Sequence, residues 1–295
     1  MRKTVRVLSS VLLLSAAACE VPEQAVMTES GVEVSRANGE LVFWAGGCAS
    51  CHASPGRLSS RAPQLGGGHA IQADQGLFRA PNISPDEQAG IGAWKLQDFD
   101  RAMRHGISLD GRAYYPAFPY TSYARMTDRD IVDLFAYLKA LPSVDSPSKA
   151  SRASFPVNQP GAMRTWQTLN LHPAPVMSFE TPNAELARGQ YLVEGPGHCG
   201  TCHTPRNALG GQKLGLWLSG AEMLDGSGYA PNLTPHEDGL AGWSSGEIIE
   251  TLQPHEGAGF AGMAAIRIDL THLPSRDLEA IAAYLKALPP VATRD

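Results

Sequence analysis

Several things are scarce in this chain of 295 residues, and each scarcity excludes something. Basic charge is in deficit: 24 Lys and Arg stand against 29 Asp and Glu, and no basic stripe marks a nucleic-acid face. Charge of either sign is sparse at 18%, and a hydrophobic content of 43% belongs to a globular chain rather than a disordered one. Long apolar runs are missing too. The stretch Val7 to Ala18 falls short of the roughly 20 residues that a membrane-spanning helix needs. Cysteines number only five, and two short motifs take four of them, which leaves no framework of disulfides. The length suffices for two ordinary domains.

What is present is organised around two pentapeptides, Cys48-Ala49-Ser50-Cys51-His52 and Cys199-Gly200-Thr201-Cys202-His203. In an exported protein, C-x-x-C-H is the attachment signature of covalent c-type haem. The spacing has a chemical reason. Two thiols must reach two vinyl groups on one porphyrin edge, while the next residue turns an imidazole onto the iron. One helical turn satisfies both demands, because residues three and four apart share a face. A zinc half-site or a dithiol redox pair explains one copy; two copies followed by the same downstream sequence argue against both. The expectation is two covalently bound haem c groups, held by Cys48, Cys51, Cys199 and Cys202, with His52 and His203 as proximal ligands.

The front end reads as an export signal over residues 1–18. Arg2, Lys3 and Arg6 form a basic n-region ahead of the short apolar stretch. Ala16-Ala17-Ala18-Cys19-Glu20 then allows two readings. Ala16 and Ala18 fit an A-x-A cleavage site and a soluble periplasmic protein. The block also resembles a bacterial lipoprotein box, although Ala16 stands where that motif prefers leucine. Lipidation at Cys19 would consume the odd thiol and anchor the chain on the periplasmic side of the envelope, and Glu20 suggests the outer membrane. Residues 19–34 read as a tether.

The rest of the chain repeats itself. Ala80-Pro81-Asn82-Ile83-Ser84-Pro85 returns as Ala230-Pro231-Asn232-Leu233-Thr234-Pro235, and Gly92-Ala93-Trp94 as Ala241-Gly242-Trp243. Ala136-Tyr137-Leu138-Lys139-Ala140-Leu141-Pro142 returns as Ala283-Tyr284-Leu285-Lys286-Ala287-Leu288-Pro289. Each half opens with a short helix, Arg36 to Trp44 or Leu186 to Val193, carrying a mid-helix glycine at Gly39 or Gly189. Propensity disfavours glycine there, so a close backbone approach is expected, from the closing helix with Tyr137 or Tyr284. That helix carries Ile131, Leu134, Phe135, Leu138 and Leu141 at helical spacing. Thr127 supplies an N-cap and Pro142 an end. Leu278, Ile281, Leu285 and Leu288 repeat the stripe.

These features resemble the class I c-type cytochromes, with crossed terminal helices, haem attached after the first, and a loop delivering the second axial ligand before the last. More closely, both halves look like the multihaem cytochrome subunits of periplasmic alcohol and gluconate dehydrogenases. Gly90-Ile91-Gly92-Ala93-Trp94, Asp110-Gly111 and Tyr115-Pro116-Ala117 carry the likeness in the first half. Cys202-His203-Thr204-Pro205-Arg206 and Pro231-Asn232-Leu233-Thr234-Pro235 carry it in the second. The resemblance implies an all-α chain of two tandem class I cytochrome c domains, 35–145 and 181–295. A linker over 146–180 joins them, with room for a helix from Gly161 to Leu171.

It also implies a sixth ligand for each iron, and methionine opposite histidine raises the potential. In the second half Met263 is expected to serve, in a loop of small residues before the closing helix. The alternative is a core methionine. In the first half the related cytochromes place a methionine after Tyr-Pro-Ala, where this chain has Phe118, which cannot bind iron. Met126 is the first choice, Met103 the second, and an open iron the third. Met126 aligns with Leu273, a position suited to a hydrophobic staple. Trp94 and Trp243 recur, as haem-edge or propionate contacts or as core aromatics. Arg206 suits a propionate or solvent. His69, His105, His198 and His255 are not repeated and receive no role.

Acidic charge is concentrated late. Residues 181–295 hold seven Lys and Arg against thirteen Asp and Glu, while 31–145 hold eleven against twelve. Such a face could steer a basic partner to the second haem. The function implied is a dihaem electron carrier between a periplasmic dehydrogenase and a downstream cytochrome or terminal oxidase. The rival is a dihaem enzyme, a peroxidase or sulfur-compound oxidase with an open first iron.

Overall fold

The computed structural model describes residues 26–27, 33–54, 62–223, 226, 228–254 and 261–294. The expected leader 1–18, Cys19, most of the tether and His255 lie outside the described residues. No described helix is long and apolar enough to cross a membrane.

The chain is mostly helical, and its two halves run through the same order of helices. In the first, strand β1 (Val26–Met27) pairs antiparallel with β2 (Glu33–Val34). Helices α1 (Arg36–Ala45) and α2 (Cys48–His52) follow, separated by two glycines. A hairpin of β3 (Ala70–Ala73) and β4 (Gly76–Arg79) leads to α3 (Leu96–His105), the short α4 (Tyr120–Tyr123) and α5 (Asp128–Lys139). Strand β5 (Arg152–Ala153) returns to the edge of β4, and α6 (Ala162–Asn170) comes next. The second half supplies α7 (Ala184–Glu194), α8 (Gly200–His203), the paired strands β6 (Ala221–Glu222) and β7 (Tyr229–Ala230), α9 (Ser245–Thr251), α10 (Ala261–Leu270) and α11 (Ser275–Ala287).

Packing centres on two helix pairs, α1 with α5 and α7 with α11. The expected glycines allow both crossings. A Cβ added at Gly39 would lie 2.1 Å from Asp133 O and 2.8 Å from Tyr137 Cβ. One added at Gly189 would lie 1.9 Å from Ala280 O and 2.9 Å from Tyr284 Cβ. Ile131, Leu134 and Leu138 of α5 are buried, as are Leu278, Ile281, Leu285 and Leu288 in and just after α11, while Phe135 and Leu141 are half-buried. Each fully buried side chain of this kind is worth about 1.5–3 kcal/mol, and the two stripes are the framework on which the sites stand.

Polar groups fix the angle of each pair. Thr127 caps α5, its hydroxyl accepting from the Asp130 amide at 3.1 Å. Asn38 of α1 donates to Asp130 and Asp133 of α5 at 2.7 and 2.9 Å. In the second pair Arg188 grips Asp277 with two parallel bonds of 3.0 and 2.7 Å, the strong geometry for an ion pair.

Among the described residues three small sheets accompany the helices of this mostly helical chain. They escaped sequence reading for a physical reason: β3 carries a single β-branched residue, and β5 arrives from a Pro- and Ser-rich stretch with no alternating pattern. Helix α6 falls where a helix was expected and ties the halves together. Gln167 Nε2 donates to His105 O and Gly106 O at 3.1 and 3.0 Å, and Trp166 Nε1 donates to Leu209 O at 2.7 Å.

Candidate haem-binding sites

The two attachment turns are built alike. In the first, Gly47 takes a left-handed backbone, φ +60°, and turns the chain out of α1 directly into α2. Cys48, Cys51 and His52 then share one face. In the second, His198 stands immediately before Cys199 with φ +39° and does the same. All four cysteines are free of disulfides.

Burial pushes the Cys48, Cys51 and Cys199 thiols away from the reactive thiolate. Cys51 is raised to about 11 by burial first, then by Asp269 and Cys202. Cys199 is raised to about 12, again chiefly by burial, and Cys48 is raised further. A half-buried thiol held in its protonated form does not behave as an exposed redox thiolate.

The histidine of each motif is oriented by a group the repeat contains but sequence reading left without a role. His52 Nδ1 donates to Pro81 O at 2.8 Å, and His203 Nδ1 donates to Pro231 O at 2.7 Å. That bond fixes the tautomer and leaves Nε2 without a proton, the form in which a ring nitrogen can bind a metal. Burial lowers the pKa of both rings, outweighing the proline carbonyls, and favours the neutral form that binds metal. The adjacent asparagines hold the prolines. Asn82 Nδ2 donates to Val144 O at 2.7 Å and Asn232 Nδ2 to Val291 O at 2.7 Å, just past the closing helices. Their Oδ1 atoms accept from the amides of Ser84 and Thr234, both at 2.8 Å. The signal was legible as recurrence of Pro-Asn; only the partner was not.

This donor set fits haem c. Among the described residues no group of three or more His, Cys, Asp or Glu could hold a metal ion by itself. Each half offers two cysteines outside any disulfide and one oriented imidazole, the complement of a porphyrin with two vinyl groups.

The methionines are less evenly placed. Met126 is buried one residue ahead of the α5 cap. Leu273, its counterpart ahead of α11, is buried too, as a staple requires. Met103 is buried on α3. Met263 is half-buried in the first turn of α10, a helix where a loop was expected. Ala264-Ala265-Ile266 after it are residues that a helix accommodates. Phe118 packs edge-on against Tyr114 and Tyr123, with centroids 5.7 and 5.6 Å away.

Trp94 is half-buried against the core and Trp243 is 39% exposed, so neither is a fully enclosed aromatic. Arg206 spends two donors on carbonyls, Gly210 O at 2.8 Å and Thr201 O at 2.9 Å.

The two turns lie against one another. Helix α10 of the second half packs on α2 and α1 of the first. From its last turn, Asp269 Oδ2 accepts from the Ser50 hydroxyl at 2.5 Å and the Ser50 amide at 3.3 Å. Burial raises the Asp269 carboxyl to about 7 against the opposing pull of Ser50. His272 stacks on Trp44, ring centroids 3.6 Å apart and nearly parallel. His198 Nε2 reaches Gly46 O at 3.2 Å.

A family model described as Cytochrome c matches residues 36–142. A diheme cytochrome c-type protein of Cereibacter sphaeroides is 42% identical over 89% of this chain and 88% of its own length. The fructose dehydrogenase cytochrome subunit of Gluconobacter japonicus is 34% identical over 96% of this chain and 58% of its own. The cytochrome c subunit of the quinone alcohol dehydrogenase of Gluconacetobacter polyoxogenes is 34% identical over 95% of this chain and 60% of its own. The chain thus spans about three-fifths of these two dehydrogenase subunits.

Proposed function

The chain belongs to the diheme c-type cytochromes, and from that premise we propose that it carries electrons from a periplasmic dehydrogenase to a downstream cytochrome or terminal oxidase. Bound haem c supplies a one-electron iron couple; acid–base side chains are not needed for that work. The polypeptide contributes attachment, ligation and burial. Cys48 and Cys51 hold one group, Cys199 and Cys202 the other, and His52 and His203 bind iron through Nε2. Met263 completes the second site and Met126 the first. Tandem class I domains at 35–145 and 181–295, with the linker 146–180 bracing their junction, make up the molecule. Export by the leader and lipidation of Cys19 keep it on the periplasmic side of the envelope.

The observation that carries this reading is the paired Nδ1 bond to Pro81 O and Pro231 O, two like ligand sets in one chain. The relatives named as dehydrogenase cytochrome subunits support a dehydrogenase as donor. The rival enzyme with an open first iron finds no support in them.

The test is spectroscopic. The oxidised holoprotein should carry two haems per chain and show methionine-to-iron charge-transfer absorption from both. Its reduced form should ignore carbon monoxide. Binding of carbon monoxide by half the haem would overturn the carrier reading and revive the enzyme. Replacing Met126 or Met103 in turn identifies the first site's ligand by loss of half the absorption.

A further inference from the structure

The residue before each first cysteine must adopt a left-handed backbone. The first half uses glycine there, the residue that does so without strain. The second half uses His198, with φ +39°. A non-glycine residue in that region costs stability and persists where something else depends on it. Gly47 has no side chain, whereas the His198 ring crosses to the other half. Its Nε2 donates to Gly46 O at 3.2 Å, two residues before Cys48. The same carbonyl accepts from Tyr123 Oη at 2.9 Å, and the Tyr123 ring stands edge-on to the His198 ring, centroids 5.8 Å apart. A Cβ on Gly47 would meet Ile266 Cδ1 at 2.9 Å and His198 Nε2 at 3.5 Å, so the seam has no slack.

We propose that His198 is a positioning residue for electron exchange between the two haem groups, fixing the first attachment turn against the second through the Gly46 carbonyl. The proposal rests on the carrier reading above. Cys48 and Cys199 are joined through Gly47, Gly46 and His198 with a single non-covalent step. Exchange moves one electron: one iron is oxidised as the other is reduced, no bond breaks and no proton moves. What His198 governs is the separation and stiffness of that step.

The test uses the holoprotein with both haems loaded, pulse-reduced to one electron per chain, with interhaem equilibration followed by absorbance. His198→Gly installs the residue that the repeat itself uses, so it relieves backbone strain while removing the contact. Since misplacing reacting centres by an ångström costs rate steeply, exchange should slow by roughly tenfold while thermal stability holds or rises. The midpoint potentials should stay in place. His198→Gln, which keeps a donor of similar reach, should recover most of the rate. Should His198→Gly fail to load haem, His198→Asn replaces it, tolerating the left-handed backbone but falling short of Gly46. Unchanged exchange in His198→Gly (or its Asn substitute), or a slowed exchange that His198→Gln does not restore, overturns the proposal. A wild-type protein holding two haems but exchanging no electron between them sinks the carrier reading and this inference with it.

Discussion

Replacing Gly189 by alanine sets two effects of opposite sign against each other. Helix propensity favours alanine over a mid-helix glycine by about 1 kcal/mol. Against that, the new Cβ would stand 1.9 Å from Ala280 O, 2.6 Å from the Ala280 carbonyl carbon and 2.9 Å from Tyr284 Cβ. Even a close carbon–oxygen contact runs to roughly 3.3 Å, so α7 and α11 would have to part by more than an ångström. No flexible side-chain end is available to yield, because two of the three atoms are backbone and the third is a Cβ. Parting the helices loosens Leu192 and Val193 against Leu278, Ile281 and Leu285, all buried. It also stretches the Tyr284 hydroxyl away from Glu194 Oε1, now 2.7 Å, and Trp217 Nε1 away from that hydroxyl, now 3.1 Å. Overpacking of this kind costs about 1–3 kcal/mol, and each strained buried hydrogen bond about 1 kcal/mol. Steric cost wins, and a net loss of about 2–4 kcal/mol is expected. Guanidinium denaturation of the holoprotein, followed by far-ultraviolet circular dichroism, reads it as a lower midpoint with an unchanged slope. A midpoint that stays or rises would refute the close crossing, since propensity alone would then be acting.

Asp269→Asn should make stability independent of pH near neutrality. The folded carboxyl titrates at about 7 against an ordinary 3.8, through burial. Stability from this site is therefore full below about pH 4 and falls as pH rises through 7. At ~1.4 kcal/mol per tenfold, the variant should gain about 2–4 kcal/mol at pH 8 and nothing at pH 4, read from urea midpoints; equal shifts at both pH values would contradict the assignment. Asn232→Ala removes the bonds to Val291 O and the Thr234 amide and should cost about 2–3 kcal/mol. It should also shift the midpoint potential of the second haem alone, because Pro231 would hold His203 less firmly. A shift in both potentials, or in neither, would detach Asn232 from that role.

Much of each half was legible because short-range chemistry dictates it. C-x-x-C-H spacing fixes a helical turn, Thr127 caps its helix as expected, through the Asp130 amide, and Gly39 and Gly189 announce crossings that admit no Cβ. The Pro-Asn recurrence was visible, but the histidine it serves lies 29 or 28 residues away, and no local pattern encodes that pairing. The small strands were invisible for want of alternation. Met263 was assigned a loop, yet the alanines after it favour a helix.

The seam between the halves was the least legible part, and the reason lies in how a repeat is read. Aligning two copies highlights positions where they agree, and those positions build each copy. Contacts between copies fall where they differ. Trp44, in register with Glu194, stacks on His272, while Glu194 turns inward to the amides of Val176 and Met177 at 2.6 and 3.0 Å. Ser50, opposite Thr201 in the alignment, takes the Asp269 carboxylate. His198, opposite Gly47, reaches Gly46 O. Tyr137, the partner of Tyr284, has no hydrogen-bond partner for its hydroxyl among the described residues, since the first half lacks the Glu194 that satisfies Tyr284. In a duplicated chain, then, the substitution that breaks the repeat at a sterically demanding site is the one to question first. A histidine in a glycine's backbone position satisfies that condition, and its side chain ends on the other copy.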